Sequence, residues 1–179
     1  MSGNSPTLKI VFLYTELAGY VIKCLEALEA RENISVTVIH WPVKSEAPFE
    51  LPTAGTFNLV SRSNLSRKDI MNLVADISPD GLFVSGWMDE DYLAIARKYL
   101  SSIPVALTMD NKWTGSFKQQ FVALSSSLFI RRHYNVAWVP GEDQKKYALK
   151  MGFHDSKIFS GFYSADTGKF NTIYSKRKD

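Results

Sequence analysis

The residues best suited to chemistry lie in a short polar stretch that follows an apolar run. After "PVALTM" the chain reads "DNKW", in which Asp110, Asn111 and Lys112 supply a carboxylate, an amide and an ammonium group. Trp113 follows directly and offers an indole ring. Polar groups of this kind suit ligands rich in hydroxyl groups, and an aromatic ring supplies an apolar surface on which sugar rings or nucleobases stack. The same combination is common in solvent-exposed turns, so both interpretations stay open.

Two other turns contain comparable residues. "TELAGY" contributes Thr15, Gly19 and Tyr20, and "SGW" contributes Gly86 and Trp87. Gly19 either lets a ligand approach the following helix or only eases the turn, and each tryptophan either contacts a ligand or packs beneath its own loop. The first turn lacks the G-x-G-x-x-G pattern that brings a dinucleotide pyrophosphate close to a helix N-terminus. A Rossmann dehydrogenase is therefore not expected.

Other kinds of site find little support in the sequence. The three histidines, His40, His133 and His154, are scattered, and the single Cys24 leaves no cysteine pair with the spacing of metal ligands. No G-x-S-x-G nucleophile elbow is present. We expect neither a bound metal nor a serine nucleophile.

Length and composition indicate one domain of an ordinary globular type. The chain has 179 residues, of which 45% are hydrophobic and 22% are charged. Its net charge of +3 is too small to indicate a nucleic-acid partner. One cysteine fits a reducing compartment, and neither a secretory leader nor a membrane-spanning stretch is recognisable. A cytoplasmic location is the expectation.

Apolar runs without polar alternation predict strands that are covered on both faces, as in a parallel sheet. Helical patterns separate these runs, so we predict an α/β, three-layer Rossmann-like domain with a mostly parallel sheet of about seven strands. The predicted strands are Ile10–Tyr14, Val36–His40, Phe57–Ser61, Leu82–Ser85, Val105–Met109, Val136–Val139 and a short one near Ile158.

The turns singled out above all follow predicted strands. In an open parallel sheet, ligands bind outside the carboxyl ends of the strands, so these turns are predicted to share one rim. Among the helices, "SRKDIMNLVADI" is the best marked, because Ser66 can cap it and Asp69 stands three residues later. Residues 41–56, with three prolines and no helical period, are expected to form a long surface loop.

One predicted helix has a pattern open to two interpretations. Its apolar residues lie on roughly one side and precede the basic residues 131–133. Packing of this side against the sheet is the favoured interpretation, and the alternative is peripheral contact with a membrane surface. The apolar residues are Phe117, Phe121, Leu124, Leu128 and Phe129.

The C-terminal part of the chain carries a family resemblance. The segment "GFHDSKIFSGFYSADTGKFN", residues 152–171, resembles the end of the first domain of GT-B glycosyltransferases of the group 1, or family 4, type. In that family "G-x-x-x-x-K-I" precedes a short strand and "N-G-x-D-x-x-x-F" opens the linker between the two domains. The matching residues are Gly152, Lys157, Ile158, Gly161, Asp166, Thr167 and Phe170, with extra residues between the second glycine and the aspartate.

The resemblance extends over nearly the whole chain. "KIVFLYTELAGYVIKCLEAL" is similar to the family's opening strand and acceptor loop, with Ala18 and Gly19 where a glycine pair is frequent. "VAWVPGEDQKKYALKMGF" is similar to a later strand and helix, although Pro140 and Gly141 replace the usual serine.

The resemblance implies the acceptor-side, N-terminal domain of an enzyme that transfers a sugar from a nucleotide-sugar donor to a glycan or glycolipid acceptor in polysaccharide or glycolipid synthesis. Residues 8–162 would form this Rossmann-like domain, 163–179 would begin the linker to a C-terminal donor domain, and 1–7 would be disordered or tag-like. The donor is a substrate held mainly by the second domain, and no other cofactor is expected. This chain alone should then be inactive.

The resemblance also suggests roles for the rim. Asp110 or its neighbour stands where members usually have a histidine, and Asp110 is the catalytic candidate, either as a hydrogen-bond acceptor or as a base. Thr15, Gly19, Tyr20, Gly86, Trp87, Asn111, Lys112 and Trp113 are the candidates for binding the acceptor. A noncatalytic Rossmann-like binding module, or one subunit of a split transferase, is the alternative.

Overall fold

Seven parallel strands form one sheet, in the order β3-β2-β1-β4-β5-β6-β7. The computed structural model describes residues 7–42, 57–161, 163 and 167–177. The seven predicted strands are all confirmed, with ends that differ by at most two residues. They are β1 Leu8–Tyr14, β2 Ile34–His40, β3 Asn58–Ser61, β4 Gly81–Ser85, β5 Val105–Thr108, β6 Val136–Val139 and β7 Ile158–Ser160.

Helices connect most of these strands. They are α1 Gly19–Glu29, α2 Arg67–Ile77, α3 Glu90–Tyr99, α4 Phe117–Phe129, α5 Glu142–Lys150 and α6 Thr167–Lys176. Ser66 caps α2 as predicted, because its hydroxyl accepts from the Asp69 amide while the Asp69 carboxylate accepts from the Ser66 amide. Most of the predicted loop, residues 43–56, lies outside the described residues, as do residues 1–6.

The side chains of β1 divide the core into two layers. Ile10, Phe12 and Tyr14 pack on the side of α1, whereas Val11 and Leu13 pack on the side of α2, α3 and α5. Successive side chains of a strand point to opposite faces, so an almost wholly buried β1 requires cover on both faces. Two apolar layers around a parallel sheet give the predicted α/β, Rossmann-like architecture.

The strand order reverses direction between β1 and β4. From β1 the chain proceeds outward through β2 and β3, and it then returns to add β4 through β7 on the other side. Loops leave the carboxyl ends of β1 and β4 in opposite directions, so a crevice opens between them. This topological switch point is where the fold itself predicts a ligand.

The apolar side of helix α4 faces solvent, contrary to the favoured interpretation that it packs against the sheet. Phe117, Phe121 and Leu124 are 91%, 72% and 85% exposed, and Leu128 and Phe129 are also exposed, so packing of these residues against the sheet is wrong. The side facing the core carries smaller residues instead, with Ser126 buried and with Val122 and Ala123 packed against the core. The large apolar side chains lie on the opposite side, in solvent.

Helix α6 occupies part of the segment predicted to begin a linker, and the domain boundary there stays a prediction. Of the helices within the described ranges, none combines the length and apolar character needed to cross a bilayer.

Candidate functional site

A cleft of about 510 Å³ opens at the switch point. Its walls are formed by residues 14–18 at the end of β1, by Ser85 and Gly86 at the end of β4, and by residues 108–111 at the end of β5. Trp41 and Tyr163 close its sides. Three separate turns thus meet at one place because their strands run parallel and end at the same edge of the sheet.

Tyr14 lies at the buried end of the cleft and is only 2% exposed. Its hydroxyl has the hydroxyls of Thr108 and Tyr163 as neighbours, yet no group in the described part of the chain meets it in full hydrogen-bonding geometry. Burial raises the pKa of Tyr14 well above its ordinary value, so the phenol stays protonated. A buried polar group without a firm partner is costly, and a bound hydroxyl would satisfy it.

Two further tyrosines stand at the mouth of the cleft. The rings of Tyr20 and Tyr163 meet edge to face, with centroids 4.7 Å apart and planes inclined at 79°. Burial raises the pKa of both phenols, and the negative charge of Asp110 raises each further. Both therefore remain neutral hydrogen-bonding groups at physiological pH and do not act as bases.

Backbone geometry brings the β1 and β4 turns together. The Thr15 amide donates to the Ser85 hydroxyl at 3.2 Å, and the two hydroxyls lie 2.9 Å apart. Gly86 adopts φ +66°, a left-handed conformation that disfavours any side chain, and its carbonyl accepts from the Tyr134 hydroxyl at 2.6 Å. These contacts fix the two turns that form opposite sides of the switch point.

The Asp110 turn is held from two neighbouring helices. Gln144 on α5 donates to the Asp110 carbonyl at 3.2 Å, and the Trp113 amide donates to the Asp143 carbonyl at 3.3 Å. On α4, the Gln119 side chain accepts from Thr114 and donates to the Lys112 carbonyl at 2.8 Å. The turn therefore presents Asp110 and Asn111 to the cleft on a supported backbone.

The charged residues among the described lining of the cleft are both acidic. Glu16 and Asp110 contribute carboxylates, and the described residues that line the cleft include no lysine, arginine or histidine. A phosphate gains from basic side chains and loses near carboxylates. Neutral ligands rich in hydroxyl groups suit this surface better, because carboxylates, phenols and aliphatic hydroxyls can all exchange hydrogen bonds with them.

A second, shallower cleft of about 460 Å³ shares Trp41 with the first. The Trp41 indole N–H donates to Asp89 at 2.6 Å, and the Arg62 guanidinium binds both Asp89 and Asp91. These carboxylates are already paired, so the network fixes the position of Trp41 beside the first cleft.

The structure brings together part of the predicted set. Thr15, Tyr20, Gly86, Asp110 and Asn111 line the cleft, and Gly19 begins α1 next to it. Besides Gly19, three predicted residues do not line it. Trp87 and Trp113 pack partly buried against the core, the latter 5.4 Å from the Tyr147 ring, while Lys112 is exposed.

Sequence reasoning missed four lining residues with hydroxyl groups. Tyr14, Ser85 and Thr108 are the last residues of β1, β4 and β5, and Tyr163 follows β7. Attention to the final residue of each strand, rather than to the turn after it, would have found the first three. Nothing local marks Tyr163, which reaches the cleft from the far end of the sheet. In the residues that the structure covers, no three His, Cys, Asp or Glu side chains are grouped to hold a metal.

Solved structures with a similar fold belong to proteins that are about twice as long as this chain. A UDP-GlcNAc 2-epimerase from Methanocaldococcus jannaschii matches with a TM-score of 0.52 and 18% identity over 86% of this chain and 45% of its own. A UDP-N-acetylglucosamine 2-epimerase from Rickettsia bellii matches with a TM-score of 0.55 and 13% identity over 96% of this chain and 48% of its own. The chain thus spans about half the length of these proteins, and the likeness shows a GT-B-like, Rossmann-type fold. No protein-family model matches the chain, and no curated protein matches it significantly.

Proposed function

We propose that this chain is the acceptor-binding half of a GT-B glycosyltransferase of the group 1, or family 4, type. The observation that supports this most is the cleft at the switch point, which is rich in hydroxyl groups, carries two carboxylates and has no cation among its described lining residues. A glycan, or the sugar headgroup of a glycolipid, is the ligand class with matching chemistry.

In this proposal the tyrosines orient the acceptor and a carboxylate takes part in the reaction. Tyr14, Tyr20 and Tyr163 remain protonated, so they donate to or accept from sugar hydroxyls without taking up a proton. Asp110 is then the candidate that accepts the hydrogen of the attacking hydroxyl, as a hydrogen-bond acceptor or as a general base. Asn111 adds an amide beside it on the same supported turn.

The nucleotide-sugar donor is assigned to a second domain. Its phosphates require amide N–H groups and cations, whereas Glu16 and Asp110 would repel them. The chain spans about half the length of the structures it resembles, which is consistent with a partner domain that supplies the donor site. Closure of two domains would also exclude water from the reacting groups.

A second candidate is a half of another enzyme that processes a nucleotide sugar. The similar solved structures are UDP-GlcNAc 2-epimerases, and this favours an enzyme that acts on the nucleotide sugar itself. A noncatalytic sugar-binding module or a split-transferase subunit would retain the same cleft. The two enzyme classes differ in which ligand this half recognises.

Ligand binding by the 179-residue chain separates these candidates. In saturation-transfer difference NMR, we expect signals from neutral oligosaccharides and none from UDP or UDP-GlcNAc. Asp110→Asn should weaken oligosaccharide binding by about tenfold, since a hydrogen bond to a charged group is lost. Asp76→Asn is the matched control, because Asp76 is exposed on α2 and does not line the cleft. Binding of UDP-GlcNAc without any oligosaccharide would favour the second candidate, and binding of neither would contradict both.

A further inference from the structure

Helix α4 presents an unusually apolar surface to solvent. We call Phe117, Phe121, Leu124, Leu128 and Phe129 the α4 outer face. Each is at least 61% exposed, and the first four recur at the spacing of one side of a helix. Isolated exposed apolar residues are ordinary, but a contiguous set of phenylalanines and leucines marks an interaction surface.

The opposite side of α4 is already packed. Val122 and Ala123 contact the core, Ser126 is fully buried, and Ile130 follows at only 6% exposure. The helix also has a stable start, because the Ser116 hydroxyl accepts from the Gln119 amide. Turning the outer face inward would therefore remove an existing set of contacts, and the face needs an external partner.

Charge around the face indicates the kind of partner. No aspartate or glutamate occurs between Asp110 and Glu142, although the chain has 18 such residues among 179. The same interval contains Lys112, Lys118, Arg131 and Arg132. Lys118 and Arg132 are exposed at the two ends of α4, so they flank the outer face along its length. A helix that carries cations and no carboxylate of its own is complementary to an anionic surface.

We propose that the α4 outer face binds the surface of an anionic lipid bilayer. Phenylalanine and leucine side chains enter the boundary between headgroups and acyl chains, while flanking lysine and arginine side chains contact anionic headgroups. The helix lies in the plane of the interface and does not cross it. This inference rests on α4 alone and does not depend on the function proposed for the cleft.

Vesicle flotation tests the apolar contribution. The chain should float with vesicles of phosphatidylcholine and phosphatidylglycerol, and a double variant, Phe121→Ser with Leu124→Ser, should lower the partition coefficient by about tenfold or more. Leu8→Ser is the matched control, since Leu8 is 45% exposed but belongs to β1. Circular dichroism and thermal unfolding verify that each variant is folded.

Charge reversal tests the lipid preference. Lys118→Glu combined with Arg132→Glu should abolish the advantage of anionic vesicles over pure phosphatidylcholine and leave the residual binding to phosphatidylcholine unchanged. Binding to anionic vesicles should also fall as salt is raised.

Three results would overturn the proposal. The first is failure of the unaltered chain to bind anionic vesicles, and the second is equal loss of binding by the Leu8 control. The third is formation of a dimer, seen by analytical ultracentrifugation and abolished by the Phe121 and Leu124 changes, without vesicle binding. That outcome would assign the outer face to a second copy of the chain.

Discussion

Helices α2 and α4 both pack against the core, but they expose different kinds of side chain to solvent. In α2 the apolar residues Ile70 and Val74 are fully buried, and charged residues face outward. In α4, whose residues are all described, only Ser126 is buried, while Phe121 and Leu124 face outward. Periodicity alone does not state which side of such a helix meets the core. The difference is that α2 has one apolar side, whereas α4 has two.

The largest effect expected from this comparison concerns stability. Ile70→Ala in α2 should lower the free energy of unfolding by about 3 kcal/mol, because it leaves a cavity under a fully buried side chain. Leu124→Ala in α4 should change it by less than about 0.5 kcal/mol, because that side chain is already in water. Urea unfolding followed by circular dichroism measures both. Similar losses for the two variants would mean that the outer face packs within the protein.

Removal of the N-caps should give a smaller difference in the free energy of unfolding between variants of α2 and variants of α4. Ser66→Ala should cost about 1 kcal/mol, since it breaks a reciprocal capping box at the start of α2. Ser116→Ala should cost about 0.5 kcal/mol, because the Ser116 hydroxyl accepts from the Gln119 amide at a long 3.4 Å. The same unfolding assay applies. A larger loss for Ser116 than for Ser66 would show that the N-cap contributes more to α4 than to α2.

The smallest expected effect is on acid stability. The hydrogen bond from Arg67, followed by that from Arg62, lowers the pKa of Asp91, which connects α2 to α3. A carboxyl whose folded-state pKa is depressed adds stability above its unfolded pKa, and this contribution is lost as the pH falls through the folded value. We therefore expect the urea concentration at the unfolding midpoint to decrease when the pH is lowered below about 4. The decrease should be smaller in Asp91→Asn, which lacks this carboxyl group. The α4 outer face has no carboxylate, so its variants should retain the full pH dependence.

The sequence predicted the fold well because the relevant signals are local. Uninterrupted apolar runs identified β1 through β7, and Ser66 with Asp69 identified the start of α2. The orientation of α4 could not be predicted, because both of its sides carry apolar residues. That Ser126 with Val122 and Ala123 faces the core is visible only in the folded structure.

The candidate site was predicted in part. Thr15, Gly86 and Asp110 follow strands, and the rule that ligands bind at carboxyl ends was enough to select them. The tryptophans were selected for their ring chemistry, but Trp113 packs near Tyr147 instead of lining the cleft. Tyr163 was missed because its distance to Tyr20 depends on the path of the whole sheet, which no short pattern encodes.

The central position of β1 affects how the protein folds during synthesis. β1 is the first strand in the chain, yet one of its two neighbours is β4, and the Lys9 amide binds a partner 71 residues away. At about 5–20 residues per second, a ribosome needs roughly 4 to 14 s to add that many residues. Throughout this time one edge of β1 lacks its partner, so the nascent chain depends on slow long-range pairing and is exposed to aggregation.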